Sequence, residues 1–190
     1  MRRSLLMLVA AVVLAACNQG GSDQGGAPAT AAPNDADVTF TQNMIPHHQQ
    51  AVEMAELVDA HTKRQELRTL ADRIAASQAR EIRLMQGWLR AWGKPATPQG
   101  MEHGGLHMPG MMSEAEMRQL MAIKHQDFDL RFLEMMTAHH QGAVEIANTE
   151  LRNGSLPEAK RLAQQIIDAQ QAEIDQFQQW QEEWATAPNR

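Results

Sequence analysis

The chain has a single cysteine, Cys17, among its 190 residues, so it cannot form an internal disulfide. It has no alternating run of β-branched residues, which argues against a sheet-based fold. Its longest apolar run, residues 5–16, is about a dozen residues long and too short to cross a bilayer. The sequence also lacks a nucleophile triad, a phosphate-binding loop and a zinc-protease helix. These absences leave a helical chain whose function must lie outside the common hydrolase and nucleotide-binding classes.

The N-terminus has the features of an export signal. Two arginines precede the apolar run, which ends in Leu-Ala-Ala directly before Cys17. Small residues in front of a cysteine resemble the lipobox of bacterial lipoproteins, which implies cleavage after residue 16 and lipid attachment to Cys17. The alternative is an ordinary secretory signal. Several acyl chains on one residue give a stable membrane anchor, and Asn18, in place of a retaining aspartate, favours the outer membrane.

Removal of residues 1–16 leaves 15 lysines and arginines against 23 aspartates and glutamates, a net charge of −8. This acidic balance argues against nucleic acid as a partner and suits the collection of cations. Residues 17–36 are rich in Gly, Ala, Pro and Gln, lack apolar periodicity and predict a flexible tether. The folded domain is therefore expected at residues 37–185.

An internal repeat organises this domain. With an offset of 92 residues, 40–92 match 132–184 without a gap, and both members of a His-His pair and two tryptophans recur in register. The identities in the first half pair Phe40, Met44, His47, His48, Gln49, Ala51, Val52, Glu53 and Ala55 with Phe132, Met136, His139, His140, Gln141, Ala143, Val144, Glu145 and Ala147. Those in the second half include Leu70, Ala71, Ile74, Gln78, Glu81, Ile82, Trp88 and Trp92, which recur as Leu162, Ala163, Ile166, Gln170, Glu173, Ile174, Trp180 and Trp184.

Each repeat unit predicts a helical hairpin, because its apolar residues recur at helical spacing. Thr62 is the expected cap after the turn of the first hairpin. In the second hairpin, Asn153 and Gly154 predict the helix stop and Pro157 the first turn of the next helix. The prediction is an all-α, ferritin-like four-helix bundle of two hairpins, joined by a crossover at residues 93–112.

The paired histidines, His47 with His48 and His139 with His140, flank the centre of the apolar stripe on their helices. The partner helices carry polar residues on their own apolar stripes, namely Gln78 and Glu81 and their repeats Gln170 and Glu173. A buried carboxylate needs a partner, so each hairpin predicts an inward-facing His-His-Glu-Gln cluster. One interpretation is that these clusters only satisfy buried polarity. In the other, the imidazoles bind metal while Glu or Gln orients them.

Methionines indicate which metal the second interpretation implies. The crossover contains Met101, His103, His107, Met108, Met111 and Met112 among Gly and Pro residues. No helical stripe explains thioethers in such a loop, where they are expected to gain little from packing. Thioether and imidazole ligands favour Cu(I) over Cu(II), and also its relative Ag(I). This segment is either a metal-binding loop or a linker whose methionines have no role. Met44 and Met136, one turn before His48 and His140, add sulfur near the histidines, whereas Met117 and Met121 are expected to be core gap-fillers.

The two His-His segments, Phe40–Ala55 and Phe132–Ala147, resemble the paired signature of the ferritin-like family known as domain of unknown function 305. The resemblance covers about residues 37–185 and implies a four-helix bundle in the cell envelope, with binding of copper and silver and a link to copper resistance. Carried over to this sequence, it implies a ligand set of Met44, His47, His48, Met54, Met136, His139 and His140. Ile146 replaces the methionine in the second copy, so the two half-sites are expected to differ.

Two other functions remain open at this stage. A di-iron enzyme needs Glu-x-x-His motifs at inner positions, and these are missing, since Glu53 and Glu145 are predicted to face solvent. A copper-dependent oxidase is the remaining enzymatic alternative. A helical interaction module is the second, non-enzymatic alternative. The four tryptophans would then form a surface for a protein partner, whereas in the other interpretation they cap the ends of the core. The preferred prediction is a lipid-anchored protein that is not an enzyme and binds copper for storage, tolerance or delivery to a protein partner.

Overall fold

The computed structural model describes residues 32–96 and 108–186 of the chain. Within these residues the fold is all-helical, as predicted, and comprises five α-helices. Their bounds are α1 Asp35–His61, α2 Gln65–Ala91, α3 Glu114–Ala122, α4 Gln126–Asn153 and α5 Pro157–Thr186. None of the described helices is long and apolar enough to cross a membrane. Cys17 and the tether up to residue 31 lie outside the described residues.

The four long helices form two hairpins, α1 with α2 and α4 with α5, which pack together mainly through α1 and α4. Two apolar clusters fill the interior. On α1 the cluster around Phe40 and Met44 precedes the histidines and the cluster around Met54 follows them, whereas on α4 the order is reversed. The helices α1 and α4 are therefore antiparallel, and the His-His pairs lie between the two clusters.

The structure corrects the sequence analysis at two places near the turns. Thr62 ends α1 rather than starting α2, and its hydroxyl accepts a hydrogen bond from the Arg64 backbone N–H at 3.0 Å. Helix α3 was not predicted at all, although Ser113 and Glu116 form a capping box at its start. The predicted stop at Asn153 and Gly154 and the start at Pro157 are confirmed.

Buried aspartates stabilise the helix ends. Asp37 accepts hydrogen bonds from the backbone N–H groups of Ser155 and Leu156, both at 3.0 Å, and from the Ser155 hydroxyl at 2.6 Å. It thereby satisfies donors at the start of α5 from the first turn of α1. Burial alone would raise the pKa of Asp37, but these hydrogen bonds outweigh it and lower the pKa. Asp129, 92 residues further on, lies 3.2 Å from the Arg64 guanidinium beside the α1–α2 turn.

The tryptophans pack at the ends of the interior. Trp88 stacks on Trp92 and Trp180 on Trp184, with ring centroids 5.9 and 5.0 Å apart. Trp184 is buried in one apolar cluster, and the other three pack against the clusters while keeping part of their surface exposed. This packing matches the interpretation of the tryptophans as end caps of the core.

Candidate metal centre

The four repeat histidines form a layer across the middle of the bundle. His47, His48 and His140 have no exposed surface and His139 has about 1%. The rings of His47 and His139, on antiparallel helices, are in contact, with centroids 3.9 Å apart and planes tilted by 44°. Pro46, which has no backbone N–H, removes one helical hydrogen bond directly before this pair in α1, whereas α4 has Ala138 at the equivalent position.

Two of the histidines are held from the partner helix of their own hairpin. The Nε2 of His48 lies 2.6 Å from Glu81 Oε2, and the Nε2 of His140 lies 2.7 Å from Glu173 Oε2. Both glutamates remain partly exposed, with 23% and 20% of the side-chain surface accessible. The carboxylates therefore join the buried layer to the surface. An imidazole that donates through Nε2 and is neutral presents its Nδ1 lone pair to the interior.

His47 is held by a different element. Its Nε2 donates to the Pro109 carbonyl at 3.0 Å. Pro109 belongs to a short strap, residues 108–112, that crosses α1 and α4 on the way to α3. Gln50 fastens the far end of the strap with two hydrogen bonds, from its amide to the Met112 carbonyl at 2.8 Å and from the Met112 N–H to its oxygen at 2.7 Å.

The strap fits against α4 because two glycines allow a close approach. A Cβ on Gly142 would collide with the Pro109 carbonyl group, and Gly110 adopts φ 76°, which only glycine takes without strain. Gln50 and Gly142 stand at equivalent positions of the repeat. The two copies are thus specialised, one to grip the strap and the other to make room for it.

The electrostatics of the layer favour neutral imidazoles at two of its four histidines, His47 and His139. Burial lowers the pKa of His47 to about 4, helped by repulsion from His48 and His140 and opposed by the bond to Pro109. Burial also lowers the pKa of His139 well below its usual value, with further repulsion from the other three histidines. Both rings are therefore unprotonated at neutral pH, which is the form that binds a metal ion.

Several buried nitrogens of this layer have no hydrogen-bond partner among the described residues. They are the Nδ1 atoms of His47, His48 and His140 and both ring nitrogens of His139. An unpaired buried polar atom costs about 1–3 kcal/mol. The side-chain oxygens of Gln78 and Gln170, both buried, also lack a partner in the described part of the chain. The two glutamines lie in the interior as the sequence predicted, but make no hydrogen bond to the histidines there.

Methionine sulfurs flank the layer on both sides. Met44, Met54 and Met136 have no exposed surface. Met44 belongs to the apolar cluster before the His layer on α1, and Met54 and Met136 share the cluster on the other side. Ile146 replaces Met54 in the second copy and is only partly buried. Thioether sulfur is therefore available on either side of the imidazoles, in unequal amounts.

The crossover methionines are less exposed than the sequence analysis expected. Met101, His103 and His107 lie outside the described residues. Met108 is 8% exposed and Met112 packs partly against an apolar cluster, because the strap is fastened to the bundle. The expectation that loop methionines gain little from packing is wrong for these two. Met111 is half-buried. The opposite error concerns Met121, which was expected in the core and is 46% exposed.

These donors fit a soft ion better than a hard one. Within residues 32–96 and 108–186, no three His, Cys, Asp or Glu side chains converge as a preformed ligand group. Each glutamate near the layer already accepts a hydrogen bond from a histidine. A bound ion would therefore combine imidazole nitrogen with thioether sulfur, a donor set that Cu(I) prefers and that Mg²⁺ or Ca²⁺ does not.

The fold and this centre together define a helical bundle with a buried histidine layer between methionine-bearing clusters. The family model described as domain of unknown function (DUF305) matches residues 37–181. The chain belongs to this family. Residues 1–18 match the lipid attachment site of prokaryotic membrane lipoproteins, so the protein is a lipid-anchored protein of the cell envelope. No curated protein sequence matches the chain.

Solved structures support the family assignment. A secreted DUF305 protein from Streptomyces coelicolor is 34% identical, with a TM-score of 0.74 over 82% of this chain and 97% of its own. A DUF305 fragment from Deinococcus radiodurans is 32% identical, with a TM-score of 0.73 over 80% and 99%. The protein CopM in its Cu(I)-bound form is 34% identical, with a TM-score of 0.67 over 78% and 96%. CopM has also been solved with Cu(II) and with silver.

Proposed function

We propose that this protein binds soft metal ions in the cell envelope, above all Cu(I), and also Ag(I), through its histidine layer and the adjacent methionines. The observation that carries the proposal is the set of buried imidazole nitrogens without hydrogen-bond partners in the described residues. Burial lowers the pKa of two of these rings, His47 and His139, and keeps them neutral. A metal ion would satisfy these lone pairs without having to displace a proton at neutral pH. The metal-bound forms of the related CopM support the choice of ions.

The ligand set of this proposal is His47, His48, His139 and His140, with sulfur from Met44, Met54 and Met136. Glu81 and Glu173 act from behind two of the rings, since a carboxylate fixes the orientation of an imidazole and increases its basicity. His139 is the most available of the four, because neither of its nitrogens is hydrogen-bonded within the described residues. The half-site containing Met54 offers one more thioether than its counterpart at Ile146.

The crossover residues Met101, His103, His107, Met108, Met111 and Met112 are proposed to collect the ion before it reaches the bundle. The strap that ends this segment already contacts His47, so the two parts are in physical contact. In this proposal, the lipid anchor on Cys17 lies in the outer membrane and holds the metal-binding domain at the cell envelope. Storage, tolerance or delivery to a protein partner would all use the same centre.

The proposal is tested by titrating the full chain, purified in detergent, with Cu(I) under anaerobic conditions against a competing chelator. One variant replaces all four repeat histidines with Gln, and a second replaces Met101, Met108, Met111 and Met112 with Leu. We expect the histidine variant to bind Cu(I) more weakly by more than about 100-fold. His125→Gln is the matched control, because His125 is exposed and its backbone, at φ 58° and ψ −136°, carries a Cβ with either residue.

The helical content and the thermal midpoint of each variant show whether it folds. Weakening confined to the loop variant would place the main site in the crossover and make the His–Glu pairs structural hydrogen bonds. Failure of the unmodified chain to compete with the chelator would contradict the proposal and favour a helical interaction module.

A further inference from the structure

A surface groove beside the histidine layer contains three methionines. Met112, Met117 and Met121 line it together, between α1 and α3. Met112 ends the strap, and the other two are one helical turn apart on the same face of α3. Residues at this spacing have Cβ atoms about 5–6 Å apart, so flexible thioethers can reach a common point. The groove thus brings together three sulfurs from two segments of the chain.

Packing does not account for all three side chains. Met112 and Met117 each pack partly against the apolar cluster below them. Met121 is 46% exposed and is, with Leu84, one of two large apolar side chains left exposed in the described residues. A sulfur at the open side of the groove gains little from burial, but it is accessible to an ion arriving from solvent.

Both ends of the groove are anchored to α1. At one end Gln50 holds the backbone of Met112 with its two hydrogen bonds. At the other, the His61 ring lies with Nδ1 2.7 Å from the Leu57 carbonyl and Nε2 3.2 Å from the Met121 carbonyl. A neutral imidazole has one N–H and donates to only one of these carbonyls, and His61 is not among the residues that line the groove. The backbone positions of the three methionines are fixed relative to α1.

The chemistry of the groove is selective. Its polar side chains include the exposed Glu53 and Glu114, and Arg118, which lies 3.4 Å from Glu114. Its lining residues include no histidine and no cysteine. Thioether sulfur alone selects monovalent soft ions such as Cu(I) and Ag(I) and gives little affinity for Cu(II).

We infer that Met112, Met117 and Met121 form a second, thioether-only site for Cu(I) or Ag(I) on the surface, separate from the histidine layer. The inference rests on the proposed function for the kind of ion involved. The groove begins at Met112, where the Met/His crossover segment ends, and the same strap contacts His47 through Pro109. The site therefore shares Met112 with the segment that would collect the ion, and the strap connects it to the layer that would retain the ion.

The test is a titration with Ag(I) of the full chain in detergent, with the methionine methyl groups labelled with ¹³C and observed by NMR. Met→Leu variants assign each methyl signal. We expect the signals of Met112, Met117 and Met121 to shift together, in the unmodified chain and also in the variant lacking the four repeat histidines. In a Met117→Leu, Met121→Leu variant, the number of Ag(I) ions bound should fall by one.

Leucine keeps the apolar volume of methionine and removes only the sulfur, and Met85→Leu, in the core, is the matched control. Unshifted signals from the three groove methionines, at Ag(I) concentrations that shift Met44 and Met136, would overturn this inference and leave the proposed function intact. Movement of the groove signals alone would support the surface site and contradict the proposed role of the histidine layer. An unchanged stoichiometry in the double variant would also overturn the inference.

Discussion

Replacement of Gly142 by Ala tests whether the strap is seated on the bundle over the histidine layer. An added Cβ would collide with the carbonyl group of Pro109 and lie 2.8 Å from the Gly110 nitrogen. All of these atoms belong to backbone, so a side-chain rotation cannot relieve the contact. The strap would have to move away from α4, and the 3.0 Å hydrogen bond from His47 to Pro109 would be lost.

The substitution has both destabilising and stabilising effects on the free energy of unfolding. Overpacking costs about 1–3 kcal/mol, and losing one buried hydrogen bond costs about 1 kcal/mol more. Replacing a glycine inside a helix by alanine recovers about 1 kcal/mol. We therefore expect Gly142→Ala to lower the free energy of unfolding by about 1–3 kcal/mol.

The assay is urea denaturation of the metal-free protein, followed by the helical circular dichroism signal. Gly87→Ala is the matched control, because Gly87 lies inside α2 and its added Cβ would meet only the end of the Arg90 side chain, at 3.9 Å. This control should raise the free energy of unfolding by up to about 1 kcal/mol. Equal stabilisation by both substitutions would refute the reasoning, since the strap could not then be seated against α4.

Three further predictions concern charge in the interior. Burial holds the pKa of His47 at about 4, whereas an unfolded imidazole titrates near 6.5, so the unfolded chain takes up the proton first as the pH falls. The metal-free protein should therefore lose about 3 kcal/mol of stability from this group between pH 6.5 and 4. A urea midpoint that stays constant over that range would contradict this prediction. Burial and the neighbouring Asp37 raise the pKa of Glu150 to about 8. The contribution of Glu150 to stability is therefore present below pH 4.5 and is lost as the pH rises to about 8. In the Glu150→Gln variant, the urea midpoint should fall less between pH 5 and 8.5 than it does in the unmodified chain. Asp37→Ala leaves buried N–H groups at the start of α5 unpaired and should lower the free energy of unfolding by about 2–4 kcal/mol in the same assay. The control Asp35→Ala, at an exposed position, should change the free energy of unfolding by less than about 0.5 kcal/mol.

The sequence predicted the parts of this molecule that follow from short-range periodicity. The position of His47 and His48 beside the apolar stripe of α1 predicted their burial, because Met44 and Ala51 lie one turn away on the same helix. The contact between His48 and Glu81 spans 33 residues, but the repeat made it predictable by showing the same polar pair on both partner helices.

The strap could not be predicted in the same way. Its position depends on the absence of a side chain at Gly142 and on the two bonds from Gln50, and neither constraint acts until the crossover lies against the bundle. The one available signal was that Gln50 and Gly142 differ between otherwise similar repeat copies. Helix α3 had a readable signal in Ser113 and Glu116, a capping box that precedes only nine helical residues.

The most direct test of the central claim is X-ray absorption at the copper edge of the full chain loaded anaerobically with one equivalent of Cu(I). The account predicts mixed coordination, with imidazole nitrogen from the histidine layer and sulfur from the adjacent methionines. The imidazole scattering should disappear in the variant that lacks the four repeat histidines. A spectrum with sulfur ligands only, unchanged in that variant, would contradict the claim that the buried histidines bind the ion.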